Sequence, residues 1–121
     1  MKKILIIDDD VSIVRLLSKQ LNAIGYKTSC AYDGYQGFKI AKETKPDLIL
    51  LDLKMPAGGG VNTFNNLKST IYTSDIPIII ITSLSSDEVQ KLVMEMGADF
   101  FLSKPIKSEL LLAKIKEFIG V

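Results

Sequence analysis

Four aspartates, a lysine and a threonine stand where short apolar runs end. Asp8-Asp9-Asp10 follow Ile4-Leu5-Ile6-Ile7, and Asp52 follows Leu48-Ile49-Leu50-Leu51. Each run is strand-sized and too short for a globular helix. A carboxylate at the end of a buried strand is costly unless it is solvated, paired or bound to a metal. Three consecutive acids beside a fourth from another strand repel one another and raise each other's pKa unless a cation is present. Thr82-Ser83 and Ser103-Lys104 end two later runs, so acids gather on one side and a hydroxyl with an ammonium on the other. Such a set suits a hard cation and an anion held together. Magnesium keeps several of its waters, so two carboxylates and one backbone carbonyl are enough protein ligands. Asp9 and Asp52 are the best direct ligands, Asp8 acts directly or through water, and the carbonyl is expected from Lys54. The Lys104 ammonium can meet either Asp52 or the oxygens of a phosphoryl group, and the Thr82 hydroxyl can donate to such an oxygen.

Taken singly, each residue has an ordinary explanation. Asp10 can be a helix cap, Lys104 a solvated surface residue and Thr82 a β-branched strand terminator. Their meaning comes from the elements that carry them. The first strand, Ile4-Leu5-Ile6-Ile7, is continuously apolar, which predicts cover on both faces. A helix capped by Asp10 or Ser12 follows, with Val14, Leu17, Leu21 and Ile24 on one face and Gly25 as its stop. Residues 26–31 are a weaker strand. The next helix is predicted over 35–44, burying Phe38 and Ile40 or Ala41 and ending before Pro46. Residues 48–51 form the third strand, and a glycine-rich loop leads to a helix over about 60–70 with Val61, Phe64, Leu67 and Ile71 inward. Pro77 opens a fourth strand through Ile81. Ser85 and Glu88 match a capping box for the helix holding Val89, Leu92, Val93 and Met96. Phe100-Phe101-Leu102 is the fifth strand, and the last helix carries Leu110, Leu111, Ile115, Phe118 and Ile119. Strand and helix alternate five times, predicting an α/β domain over residues 1–121 with a parallel sheet and helices on both faces. Ligands collect at the carboxyl ends of the strands in such folds.

Composition narrows the classes further. The chain has 121 residues, 15 basic and 14 acidic, for a net charge of +1, which gives no electrostatic argument for nucleic acid. Cys30 is its single cysteine and histidine is absent, so an internal disulfide and a histidine-ligated zinc are excluded. Cys30 is expected to be a small buried strand residue. The four apolar residues after Met1-Lys2-Lys3 are too few for a signal-peptide core or a membrane span. A soluble, cytoplasmic protein is the expectation.

The segments Ile4-Leu5-Ile6-Ile7-Asp8-Asp9-Asp10, Pro46 through Pro56, Pro77 through Thr82 and Gly97 through Pro105 carry a resemblance. In order and spacing the chain resembles the receiver domain of two-component response regulators, the family of the chemotaxis regulator and the small sporulation phosphorelay regulator. The resemblance implies a flavodoxin-like, three-layer (βα)5 doubly wound fold with strand order 2-1-3-4-5. It implies Asp52 as phosphoacceptor, Asp8 and Asp9 as the acidic pair for Mg2+, and Lys104 as the lysine on the phosphoryl group. Thr82 takes the place of the switch hydroxyl and Phe101 that of the switch aromatic, often tyrosine. A histidine kinase or phosphotransfer protein is the implied donor, and the fourth helix, fifth strand and fifth helix are the implied output surface. A monomer and a phosphorylation-dependent dimer both remain open. An aspartate carboxylate attacking a phosphohistidine becomes an aspartyl phosphate. The domain then catalyses its own modification and resetting, not turnover of an outside metabolite.

Some positions depart from the common pattern. Ala57-Gly58-Gly59-Gly60 replaces a loop end that often holds an acid, and it is expected to be mobile without metal. Phe101 lacks the phenolic hydroxyl, so its coupling to Thr82 has to run through packing. Lys54 and Leu84, two positions beyond Asp52 and Thr82, point to slow self-dephosphorylation. Two other functions remain possible. The chain is the receiver part of a longer DNA-binding or enzymatic regulator, or it is a magnesium-dependent phosphohydrolase with an aspartyl nucleophile. The last would want a general acid two residues after Asp52, where Lys54 stands.

Overall fold

The computed structural model describes residues 1–54, 59–83 and 87–120. Leu84, the Ser85 half of the expected capping box, and Met55 to Gly58 lie outside the described residues. In chain order the elements are β1 (Lys3–Ile7), α1 (Val11–Ala23), β2 (Lys27–Ala31), α2 (Gly34–Thr44), β3 (Leu48–Leu51), α3 (Gly59–Ser69), β4 (Ile78–Thr82), α4 (Asp87–Glu95), β5 (Phe100–Ser103) and α5 (Ser108–Ile119). All strand pairings are parallel and the order is β2-β1-β3-β4-β5, the doubly wound (βα)5 arrangement. The order turns back at β1 and β3, which places a crevice at their carboxyl ends.

The continuous apolar strands are explained by two cores. Alternate residues point to opposite faces of a sheet. Leu5, Ile7, Ile49, Leu51, Ile78 and Ile80 pack with Ala41 of α2, Phe64 and Leu67 of α3 and Val93 of α4. Ile4, Ile6, Leu48, Leu50, Ile79 and Ile81 pack with Val14 and Leu17 of α1 and Leu111 and Ile115 of α5. Every residue of β3 and β4 is buried. At about 25 cal/mol per Å2 of apolar surface removed from water, this two-sided burial dominates the stability of the domain.

Asp10 caps α1, its Oδ1 accepting from the Ser12 and Ile13 amides at 3.0 and 3.3 Å. Asp33 does the same for α2 through the Gln36 amide at 2.7 Å. Lys45, left-handed at φ 47°, closes α2 ahead of Pro46. Some expected inward residues are not buried. Ile24 is the exposed C-cap residue of α1, and Val61 faces solvent on α3. Ile71 lies beyond the last turn of α3, in the turn leading to β4, and is 85% exposed. Leu92 and Leu110 also face outward, whereas their neighbours Val93 and Leu111 are buried. Cys30 is only half-buried, because β2 is an edge strand, and its Sγ lies 3.1 Å from the Ser18 hydroxyl.

Candidate functional site

Asp8 is the first residue after β1 and is fully buried. Its Oδ1 accepts from the Asp10 amide at 2.9 Å and its Oδ2 from Lys104 Nζ at 2.8 Å. Asp52 directly follows β3 and is 2% exposed. Its amide continues the ladder by donating to the Ile7 carbonyl at 3.0 Å, so the β1–β3 pairing itself sets the carboxylate beside Asp8. Asp52 Oδ1 accepts from the Lys54 amide at 3.0 Å, and Oδ2 lies 3.3 Å from Lys104 Nζ. Asp9 is exposed at the rim, yet Asp8, Asp9 and Asp52 each offer an oxygen within 4.8 Å of the others.

Lys104 follows β5, its amide donating to the Thr82 carbonyl at 2.9 Å and its side chain 15% exposed. The Lys104–Pro105 peptide bond is cis. Thr82 is the last residue of β4 rather than the first after it, and it is fully buried. Phe101 lies inside the sheet with Leu51, Ile80 and Val93 and is 7% exposed. Lys54 has an exposed side chain. Lys104 stands opposite the acidic cluster, as expected, and reaches Asp52; its shorter contact goes to Asp8.

Burial pushes the Asp8 carboxyl up from its ordinary value; the Lys104 and Asp10 hydrogen bonds oppose this only in part, and the nearby Asp52 charge adds to it. For Lys104 burial works against the ammonium, but Asp8 and then Asp52 outweigh it and hold the group above its usual range. The lysine therefore stays charged at neutral pH. Among the described residues one ammonium, that of Lys104, meets two of the three clustered carboxylates, so negative charge is left over when all are ionised. Carboxylate oxygens in this number are the donor set of a hard divalent cation. The residues present therefore fit a divalent metal, with Asp8, Asp9 and Asp52 able to hold it.

A five-stranded sheet in this order, with this acidic cluster at the crevice, belongs to a known class. The chain is a member of the response regulator receiver domain family, whose description matches residues 4–116. It is similar to the DNA-binding dual master transcriptional regulator RpaA of Synechocystis sp., 37% identical over 119 residues, which cover 98% of this chain and 49% of that protein. The probable transcriptional regulator ycf27 of Porphyridium aerugineum is 38% identical over 118 residues, 98% of this chain and 48% of that one. The chain thus spans about half the length of the curated relatives it matches. Among solved structures, chemotaxis protein CheY4 of Vibrio cholerae superposes with a TM-score of 0.90 at 29% identity, covering 98% of both chains. The receiver domain of a signal transduction histidine kinase from Syntrophus aciditrophicus gives 0.89 at 31% identity, covering 99% of this chain and 91% of that one.

The receiver fold and the Asp8/Asp9/Asp52 cluster are consistent with a phosphoaspartate and divalent-metal site that modifies and resets itself. Among the described residues no helix is long and apolar enough to cross a membrane.

Proposed function

We propose that residues 1–121 form one receiver domain in which Asp52 accepts a phosphoryl group from a phosphohistidine donor. The observation that carries this reading is the burial of Asp52 beside Asp8 and Lys104 at the carboxyl ends of β3, β1 and β5. A carboxylate oxygen of Asp52 attacks phosphorus, the P–N bond of the donor breaks and the imidazole leaves with its electron pair. Asp8, Asp9, Asp52 and the Lys54 carbonyl would hold magnesium, which would supply positive charge to offset that on the phosphoryl oxygens. Lys104 then exchanges its carboxylate contacts for a phosphoryl oxygen, and Thr82 donates its hydroxyl to another. The donor is a histidine kinase or phosphotransfer protein, and the site of action is the cytoplasm.

The output reading runs from Thr82 through Phe101 to the surface of α4, β5 and α5. The Phe101 ring is already inside, so the change on phosphorylation is a repacking around a buried ring and not its entry from solvent. Truncating it to alanine costs about 3–5 kcal/mol as well as the coupling. Phe101→Leu is therefore the cleaner variant: it should still take up phosphoryl and lose phosphorylation-dependent partner binding, and unchanged binding counts against the switch role.

A second reading is favoured by the coverage of the relatives, which are named as transcriptional regulators and are about twice as long. In it this domain is the receiver part of a longer DNA-binding regulator, and the full open reading frame decides. The phosphoryl chemistry itself is tested by the intact mass of wild-type and Asp52→Ala protein after incubation with magnesium and a small acyl phosphate.

A further inference from the structure

Asp52 and Lys54 are held by more than their own strand. Leu53, between them, is buried beneath the first turn of α3, where Gly60 lies so close to the Leu53 Cα, carbonyl carbon and oxygen that no side-chain carbon fits between. One turn further on, Thr63 is 3% exposed despite its hydroxyl, because it stands against Gly34 at the start of α2. A Cβ on Gly34 would fall on Thr63 Oγ1 and come 3.3 Å from the Gly59 carbonyl oxygen. Asp33 anchors this same turn of α2 through the Gln36 amide.

Two glycine-enabled contacts therefore join the corner after β2 to the peptide after Asp52. Gly34 rests on Thr63 and Gly59, and Gly60 rests on Leu53. Close-packed backbone transmits displacement because there is no void to absorb it. The Leu53–Lys54 unit at the end of this path carries the amide that donates to Asp52 Oδ1 at 3.0 Å, and Lys54 carries the carbonyl assigned to the metal.

We infer that the close contact of Gly34 with Thr63 is a positioning contact for the metal site. It fixes the first turn of α3, and through Gly60 and Leu53 it sets the directions of the Asp52 carboxylate and the Lys54 carbonyl. The inference rests on the magnesium role proposed above and adds two residues that touch no ligand. Residues that orient metal ligands typically change affinity by about tenfold or more when altered.

The test is calorimetric titration of magnesium into unphosphorylated protein, with thermal melting alongside. Gly34→Ala should weaken magnesium binding about tenfold. Thr63→Ala in the same chain removes the Oγ1 that the new methyl meets, leaving the Thr63 Cβ at an ordinary 3.4 Å and the Gly59 carbonyl oxygen at a tighter 3.3 Å, so the double variant should recover part of the affinity. Gly25→Ala is the stability control: Gly25 has φ 103° with nothing within 4 Å, so the variant should melt lower and bind magnesium as wild type does. The wild-type protein supplies a reading that does not depend on any variant folding, since magnesium should shift the amide resonances of Gly34 and Thr63. Wild-type affinity in Gly34→Ala, no recovery in the double variant, or unmoved Gly34 and Thr63 resonances would overturn the inference alone. A wild-type protein that binds no magnesium would overturn the metal reading and this inference with it.

Discussion

Aspartates sit at both ends of this sheet, and the two ends use them differently. At the amino ends of the strands, Asp47 Oδ2 accepts from the Lys3 amide at 2.8 Å while the Asp47 amide donates to the Lys3 carbonyl at 2.8 Å. Asp99 repeats the arrangement with Ile78, at 2.8 and 3.0 Å, and adds a looser ion pair to Lys68 at 3.8 Å. Each of these acids satisfies the first backbone amide of a neighbouring strand. At the carboxyl ends Asp8 and Asp52 are buried, close to each other and to Asp9, and they share the single ammonium of Lys104. Crowding of like charge, not the presence of an acid beside a strand, separates a site from a cap.

That contrast is broken most severely at Lys104. Lys104→Met leaves two buried carboxylates without their cation and should cost on the order of 3 kcal/mol in urea unfolding. Added magnesium should return part of this loss, because a ligand that binds only the folded state stabilises it. A loss that magnesium leaves untouched would place the metal elsewhere.

Acid sharpens the same contrast. The folded-state carboxyl of Asp8 is raised above its ordinary 3.8. Between the two values the folded chain holds the extra proton, so this group's contribution to stability falls as pH rises through that window. Magnesium needs the ionised form. Its affinity should therefore fall on acidification, by about tenfold per pH unit below the raised value. Affinity that holds down to the ordinary carboxylate range would show that Asp8 is not a ligand.

The smallest effect is expected at the other end. Asp99→Ala removes one backbone cap and should cost about 1 kcal/mol, with magnesium affinity and phosphoryl uptake unchanged. A change in either would mean that the two ends are coupled through β4.

Much of this was legible in the sequence. Ile4 to Ile7 and Leu48 to Leu51 lack alternation because α2, α3 and α4 cover one face and α1 and α5 the other. Asp8, Asp9, Asp52, Thr82 and Lys104 could be gathered because parallel strands put all their carboxyl ends together. What failed has local reasons. Ile71 continues the period of α3, but that helix stops at Ser69 and the chain turns away. Thr63 is polar by type and gave no sign of burial, since its contact with Gly34 comes from the packing of α2 on α3. The caps at Asp47 and Asp99 depend on which strands neighbour each other, which single-strand patterns do not carry. The preference of Lys104 for Asp8 over Asp52 is likewise a matter of tertiary geometry.

The central claim is that Asp52 is the phosphoacceptor and that Asp47 and Asp99 are only caps. Intact mass after incubation with magnesium and a small acyl phosphate tests it most directly. A gain of one phosphoryl group is expected in wild-type, Asp47→Asn and Asp99→Asn proteins, and none in Asp52→Ala. A phosphoryl group retained by Asp52→Ala would contradict it.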